Sequence, residues 1–418
     1  MESRLILAID IGTETIKTFL GDRLPDGSLH IKNSAFVPSK GYSRGEITNA
    51  DDLASSVKQA LDCVFVPDDN RDDVLIYAGL GSISMLAQNS PGSIARTHAD
   101  KITFEDVERA CRAAVFAAVF DEFDALHVFP TNDVMSEKGV LLENISDSRD
   151  VPGIKVIAHI ATLPKKIIES LTKAFSLQGI ELSGIAVNNI VAVRNAMPHL
   201  EKEEVNCIYL DIGAGTVDIA VLAEGRIHHS ATLSLGGNYI TNDIKQCLDV
   251  SSAHAEAIKR YYAKLSKEVY GQKVILDCND FGTDNKSVSY DFLHDVVESR
   301  VDEIVQLLYE YLKPKLDEYI HNTDKKLDKL ILAGGSGAFP SIVEKLSSKF
   351  DAKAEVVSFP HLAPEYNYPA NAACYGIFCY AAEKLAKSDA VAQSQIPKRT
   401  ERVNQSDSWC FFKKIFKI

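Results

Sequence analysis

The apolar positions of this chain fall twice into the same arrangement. Leu5 to Ile9 and Cys207 to Leu210 are unbroken apolar runs of strand length, and each ends in an aspartate followed by isoleucine and glycine. After the first run, Ile16 to Leu20, the turn Pro25-Asp26-Gly27 and Leu29 to Ile31 read as further strands. After the second, Val217 to Leu222, the turn Ala223-Glu224-Gly225 and Ile227 to Leu235 do the same. Each half therefore predicts an antiparallel meander that opens on a glycine turn, and the repeated order is the trace of an internal duplication.

The remaining pattern predicts helices over Asp51 to Val64, Thr103 to Phe120, Pro164 to Leu177, Asn238 to Leu248, Val288 to Leu316, Pro340 to Phe350 and Asn371 to Leu385, and another beginning at Asn188 to Val193. In the longest, apolar residues at 293, 296, 297, 301, 304, 307 and 308 follow three- and four-residue spacing and mark a core helix. Further strands are expected at Val74 to Ala78, His127 to Phe129, Val156 to Thr162, Leu327 to Ala333 and Glu355 to Ser358. The stretch from 82 to 162 mixes strand and helix and suits a separate small lobe. From Lys387 to Ser408 the chain turns polar and loses its period, which reads as a flexible linker.

The two glycine turns carry the chemistry. A strand that ends in an acidic residue and turns on glycine points backbone N–H groups outward, which suits a phosphate. Two such turns facing each other would grip the β- and γ-phosphates of a nucleotide from both sides, Gly12, Thr13 and Thr15 on one and Gly213, Gly215 and Thr216 on the other. Asp10 and Asp211 would hold Mg through water, since that ion keeps several waters and takes one or two carboxylates. Asp218 is a candidate for positioning a water. A later turn, Gly334-Gly335-Ser336-Gly337, lets backbone approach a flat ring and leads into a helix start. Gly236 and Gly237 close the second meander near the phosphates, with Asn238 expected to cap the following helix. Glu256 and Lys259 lie one helical turn apart and share a face.

Composition narrows the class. The chain has 418 residues, 46% of them apolar and 25% charged, enough for two or more domains with large cores. Its net charge of −13 argues against nucleic acid as a partner. The eight cysteines are scattered, without the C-x-x-C pairs of metal or redox sites. No stretch reaches transmembrane length, so membrane contact must be peripheral. The C-terminal tip offers such a contact. On a helix, Trp409, Phe411, Phe412, Ile415, Phe416 and Ile418 fall on one half and Lys413, Lys414 and Lys417 cluster on the other, a pattern that suits an anionic membrane interface, the alternative being a helix docked on the protein's own surface or on another protein.

The two Asp-Ile-Gly turns, the Gly334 to Gly337 turn and the Glu256/Lys259 helix between them resemble the ATPase core shared by actin, the sugar kinases and the seventy-kilodalton chaperones. More narrowly, Leu235 to Asp243, Ala255 to Lys259, the late Gly-Gly turn and the aromatic, lysine-rich tip resemble the bacterial cell-division FtsA family. That resemblance implies an α/β actin-like ATPase fold: two duplicated halves around a nucleotide cleft, with an inserted lobe of the type called 1C. It divides the chain into 1–81 with 163–195 (1A), 82–162 (1C-like), 196–249 with 310–365 (2A), 250–309 (2B), a returning helix over 366–386, a linker over 387–408 and a membrane helix over 409–418. It implies ATP and Mg as cofactors, weak hydrolysis at most, and polymerisation on the cytoplasmic face of the inner membrane at the division site. It also implies FtsZ, whose C-terminal peptide would enter the 2B lobe, and other divisome proteins as partners. A sugar or acid kinase on the same core, or a pilus-assembly scaffold, are the alternatives. For a kinase no separate substrate-side base stands out, and the tip would have no role.

Overall fold

The computed structural model describes residues 4–24, 26–66, 73–96, 102–132, 134–136, 152–263, 275–277, 287–320 and 325–395. The membrane-binding set Trp409, Phe411, Phe412, Lys413, Lys414, Ile415, Phe416, Lys417 and Ile418 lies outside the described residues, as does most of the expected linker. No helix among the described residues is long and apolar enough to cross a membrane.

The first half opens with β1 (Leu5–Ile11), β2 (Thr15–Arg23) and β3 (Leu29–Pro38), then a short hairpin of β4 (Tyr42–Ser43) and β5 (Glu46–Ile47), α1 (Ala50–Val64) and β6 (Val74–Leu80). The acidic pair Asp51 and Asp52 occupies the first turn of α1; its cap is Asn49, whose side chain accepts both of their backbone N–H groups. After an inserted stretch come α3 (Lys165–Ser176), β11 (Gly184–Val187), α4 (Asn188–Val191) and α5 (His199–Lys202). The second half has β12 (Cys207–Ile212), β13 (Val217–Ala223) and β14 (Arg226–Leu233), then α6 (Asn238–Leu248), α7 (Ser252–Tyr262), a small pair β15 (Ile275–Asp277) and β16 (Ser287–Ser289), and α8 (Tyr290–Tyr319). β17 (Lys329–Ala333), α9 (Pro340–Phe350) and β18 (Lys353–Val356) complete it, and α10 (Ala372–Gln395) returns to the first half.

The main sheets run β11-β6-β1-β2-β3 and β14-β13-β12-β17-β18. Reading outward from β1 and from β12, both have two antiparallel strands on one side and two parallel strands on the other. The same topology twice is what the repeated sequence order leads one to expect. Both faces of β12 and β13 are buried, so these two strands are almost wholly apolar and alternate between two cores. Cys207 and Tyr209 of β12, with Ala220 and Leu222 of β13, join the core shared with the first half and α10. Their neighbours Ile208, Leu210, Ile219 and Val221 join the core of the second half around α8.

The insertion consists of β7 (Leu86–Ala95), α2 (Phe104–Ala118), β8 (Phe123–Pro130), β9 (Met135–Ser136) and β10 (Gly153–Pro164). Its sheet runs β7-β10-β8, and it has its own core of Ile102, Val107, Ala110, Val156 and Ile160 among others. The apolar pattern does not announce β7, because Pro91 and Gly92 interrupt it. Proline is tolerated here since β7 is an edge strand whose partner is β10. The lobe also touches the second half. His159 bridges Asn89 and Ser230 of β14 at 2.7 and 2.8 Å, and Asn89 donates to the His228 carbonyl at 2.8 Å.

Several boundaries depart from the apolar pattern: β3 runs past Ile31 to Pro38, and β8 and β10 extend beyond both expected ends. α10 runs on to Gln395, into the stretch read as linker from Lys387, because alanine, lysine and glutamine sustain a helix without an apolar stripe. β18 lies two residues earlier than expected, at Lys353 to Val356.

Candidate functional site

The paired turns have one backbone. The Gly12 N–H donates to the Thr15 carbonyl at 3.1 Å, and the Gly213 N–H to the Thr216 carbonyl at 2.9 Å. In both, the strand after the turn runs back antiparallel, so Asp10 is opposite Lys17 and Asp211 opposite Asp218. The turns meet across the cleft: a Cβ added to Gly215 would lie 2.5 Å from the Thr13 hydroxyl. Only glycine permits that approach. The Thr13 hydroxyl is buried without a protein partner, and a phosphate oxygen entering between the turns would satisfy it.

Three carboxylates gather beside these turns against one lysine. Asp10, 3% exposed, accepts from the Lys17 amine at 2.8 Å and from the Asn188 amide at 2.9 Å. Asp211 accepts from the Tyr209 hydroxyl at 3.3 Å. Asp218 accepts from Thr232 and presses on the first half, since a Cβ on Gly81 would lie 2.1 Å from its carboxylate. Burial pushes Asp211 up to about 7, with Lys17 opposing and Asp10 adding to the rise. Burial and then the charge of Asp211 push Asp218 up to about 8. Burial works against the charge of Lys17, but Asp10 and then Asp211 outweigh it and raise its pKa. Such an excess of buried negative charge suits a cation. Among the described residues no three potential ligands close on one point; Asp10 and Asp211 are the one or two carboxylates that an ion keeping its own water takes.

A second cluster adjoins the first. Gly334 has φ +83°, and a Cβ there would meet the Ile212 carbonyl and the Asp211 carboxylate at 2.4 and 2.5 Å. The Ser336 N–H donates to the Ile212 carbonyl at 3.0 Å, while Gly335 has open space where a Cβ would stand. Gly236 packs on Ala214, and the Gly237 and Asn238 N–H groups donate to the Gly213 and Ala214 carbonyls at 3.0 and 2.8 Å. Lys259 is buried and reaches Glu256 at 2.6 Å, Thr241 at 2.9 Å and the Gly237 carbonyl at 3.3 Å. Burial raises the Glu256 carboxyl, yet Lys259 and the hydrogen bonds to it hold it below its usual range. This pair is part of the packing between α6 and α7, not a solvated surface ion pair.

Asn238 does not cap α6. The N-cap is Gly237, which has no side chain to offer, and the Asn238 amide instead donates to Glu14 of the first turn at 2.9 Å. Asp243 of α6 accepts from the Arg300 guanidinium at 2.9 Å. Sequence reasoning passed over Lys17, Asn188, Glu14 and Thr241. Lys17 had a signal: in the duplication it stands where Asp218 does.

Comparison with known proteins agrees with this picture. A family model described as "Cell division protein FtsA" matches residues 208–376. The "Cell division protein FtsA" of Buchnera aphidicola subsp. Acyrthosiphon pisum is 24% identical over 395 residues, covering 93% of each chain. Among solved structures, the "PilM-PilN type IV pilus biogenesis complex" aligns with TM-score 0.64 at 16% identity, covering 90% of this chain and 98% of that one. MreB 5 of Spiroplasma citri, bound to AMPPNP, aligns with TM-score 0.53 at 14% identity, covering 94% and 100%. The fold is actin-like, and the resemblance to FtsA holds over nearly the whole chain.

Proposed function

We propose, on the premise that this chain is a relative of the FtsA cell-division proteins, that it is an ATP-binding, actin-like division protein. In this reading it polymerises on the cytoplasmic face of the membrane and tethers FtsZ filaments there. The observation that carries the nucleotide part is the pair of facing turns, one bringing Lys17 and the other Asp218 to a shared cleft. The AMPPNP bound by MreB 5, a protein of the same fold, is in keeping with it.

Bound between the halves, Mg-ATP would supply phosphate charge and a cation common to both. With each turn closed by its own Gly12 or Gly213 N–H, the N–H groups of Thr13, Thr15, Gly215 and Thr216 would bind the phosphates, and Asp10 and Asp211 would orient the water of the metal. Lys17 offsets the carboxylates, and Asn188 fixes Asp10 in place. Glu256, Lys259 and the turn Gly334-Gly335-Ser336 would line the nucleoside side. Closing the cleft would favour the polymerising form, with the 82–162 lobe meeting a neighbouring subunit and the 250–309 lobe receiving the FtsZ C-terminal peptide. The tip from Trp409 to Ile418 would then hold the polymer on anionic lipid.

The test is sedimentation with anionic vesicles and Mg-ATP, comparing the intact chain with one stopped after Gln405. The expected result is that the intact chain alone pellets with lipid, and more so with ATP. If both stay soluble with or without nucleotide, the membrane-tethered reading fails, and phosphate transfer to a small acceptor becomes the next assay.

A further inference from the structure

We propose that Glu14 is a selectivity residue, latching the first glycine turn to the second half through Asn238 and disfavouring a triphosphate relative to a diphosphate. The inference rests on the nucleotide reading above. Glu14 sits on the first turn at the position that Gly215 occupies in the duplicate, so the backbone of the turn does not demand a side chain there. Its carbonyl accepts the Ser39 N–H at 3.0 Å, which fixes the residue. Its carboxylate accepts from the Asn238 amide at 2.9 Å, and the Asn238 backbone is in turn tied to the Ala214 carbonyl at 2.8 Å. One hydrogen-bonded path thus runs from the first turn to the second, beside the point where Thr13 abuts Gly215.

A phosphate entering between Thr13 and Gly215 must part these edges next to the carboxylate. The group that meets the Glu14 carboxylate is the neutral Asn238 amide, so its negative charge faces the incoming anion. The terminal phosphate of a triphosphate brings the most charge closest to the turns and is repelled most. Because Glu14 is exposed, salt should screen this repulsion.

The experiment is equilibrium binding of Mg-ATP and Mg-ADP to the full-length chain, wild type against Glu14→Gln and Glu14→Ala, at low salt and at about 0.5 M salt. Glu14→Gln removes the charge but keeps a group that Asn238 can bond. The ATP-to-ADP affinity ratio should rise about tenfold in Glu14→Gln at low salt. The wild-type ratio should move the same way as salt is added, while the variant ratio stays level. Binding that is intact with an unchanged ratio in both variants overturns the proposal. So does a fall in the ratio, which would make Glu14 a holder of the metal. If the wild type binds neither nucleotide, the nucleotide reading itself fails, a result distinct from the other two.

Discussion

The two halves begin with one backbone and furnish it differently. In the first, β2 returns with Lys17 facing Asp10; in the second, β13 returns with Asp218 facing Asp211. The first turn carries Thr13 and Glu14 where the second carries Ala214 and Gly215. Duplication provides two turns of one backbone, while divergence at the facing strand position divides the charges. One half brings the lysine and the other an additional buried carboxylate. The halves share this cluster: after Asp10, the charge of Asp211 in the second half helps raise the pKa of Lys17 in the first.

The largest effect should come from removing the single cation. Lys17→Met leaves Asp10, Asp211 and Asp218 buried without it, which should cost about 3 kcal/mol of stability in denaturant unfolding. Nucleotide binding should fall at least tenfold in the same protein. If stability and affinity are both unchanged, the lysine is not the counter-charge of the cluster.

The next test sets the glycines of the two turns against each other. Gly215→Ala would put a Cβ 2.5 Å from the Thr13 hydroxyl, Gly12→Ala would put one 2.9 Å from the Thr15 carbonyl, and Gly213→Ala one 3.2 Å from the Thr216 carbonyl. Loss of Mg-ATP affinity in calorimetry should follow that order, because the first clash pushes the halves apart and the others stay within a turn. Gly213→Ala should stay within about threefold of wild type, equivalent to less than 1 kcal/mol.

A smaller effect concerns pH. Asp211 and Asp218 stand at about 7 and about 8 in the folded chain against an ordinary value of 3.8. The folded state therefore holds more protons than the unfolded one between those values. That stabilisation is complete below the ordinary value and is lost as pH rises through 7 and 8. Unfolding free energy without nucleotide should fall between pH 5 and pH 8. Asp218→Asn should flatten that fall. A slope of equal size in the variant would remove Asp218 from the account.

Much of the fold is legible in the sequence, for a physical reason in each case. The repeated apolar run, aspartate and glycine encode a local turn, and local geometry needs few contacts to specify it. What was not legible depends on packing across the chain. Lys17 looks like any polar residue in an alternating strand until the register sets it opposite Asp10. Asn188 gains its meaning when α4 carries it to Asp10, 178 positions away in sequence. Asn238 fits every rule for a helix cap, yet a residue of the other half claims its side chain. Likewise β7 is hidden by Pro91 and Gly92, which are acceptable at a sheet edge and uninformative in sequence.

The account stands most directly on titration calorimetry of Mg-ATP with the wild type, Asp10→Asn and Asp211→Asn. It predicts one nucleotide per chain and a loss of at least tenfold in affinity for that one site from either substitution, although the two aspartates belong to different halves. Two nucleotides per chain, or binding that only one of the substitutions weakens, would contradict the claim that the duplicated turns form a single site.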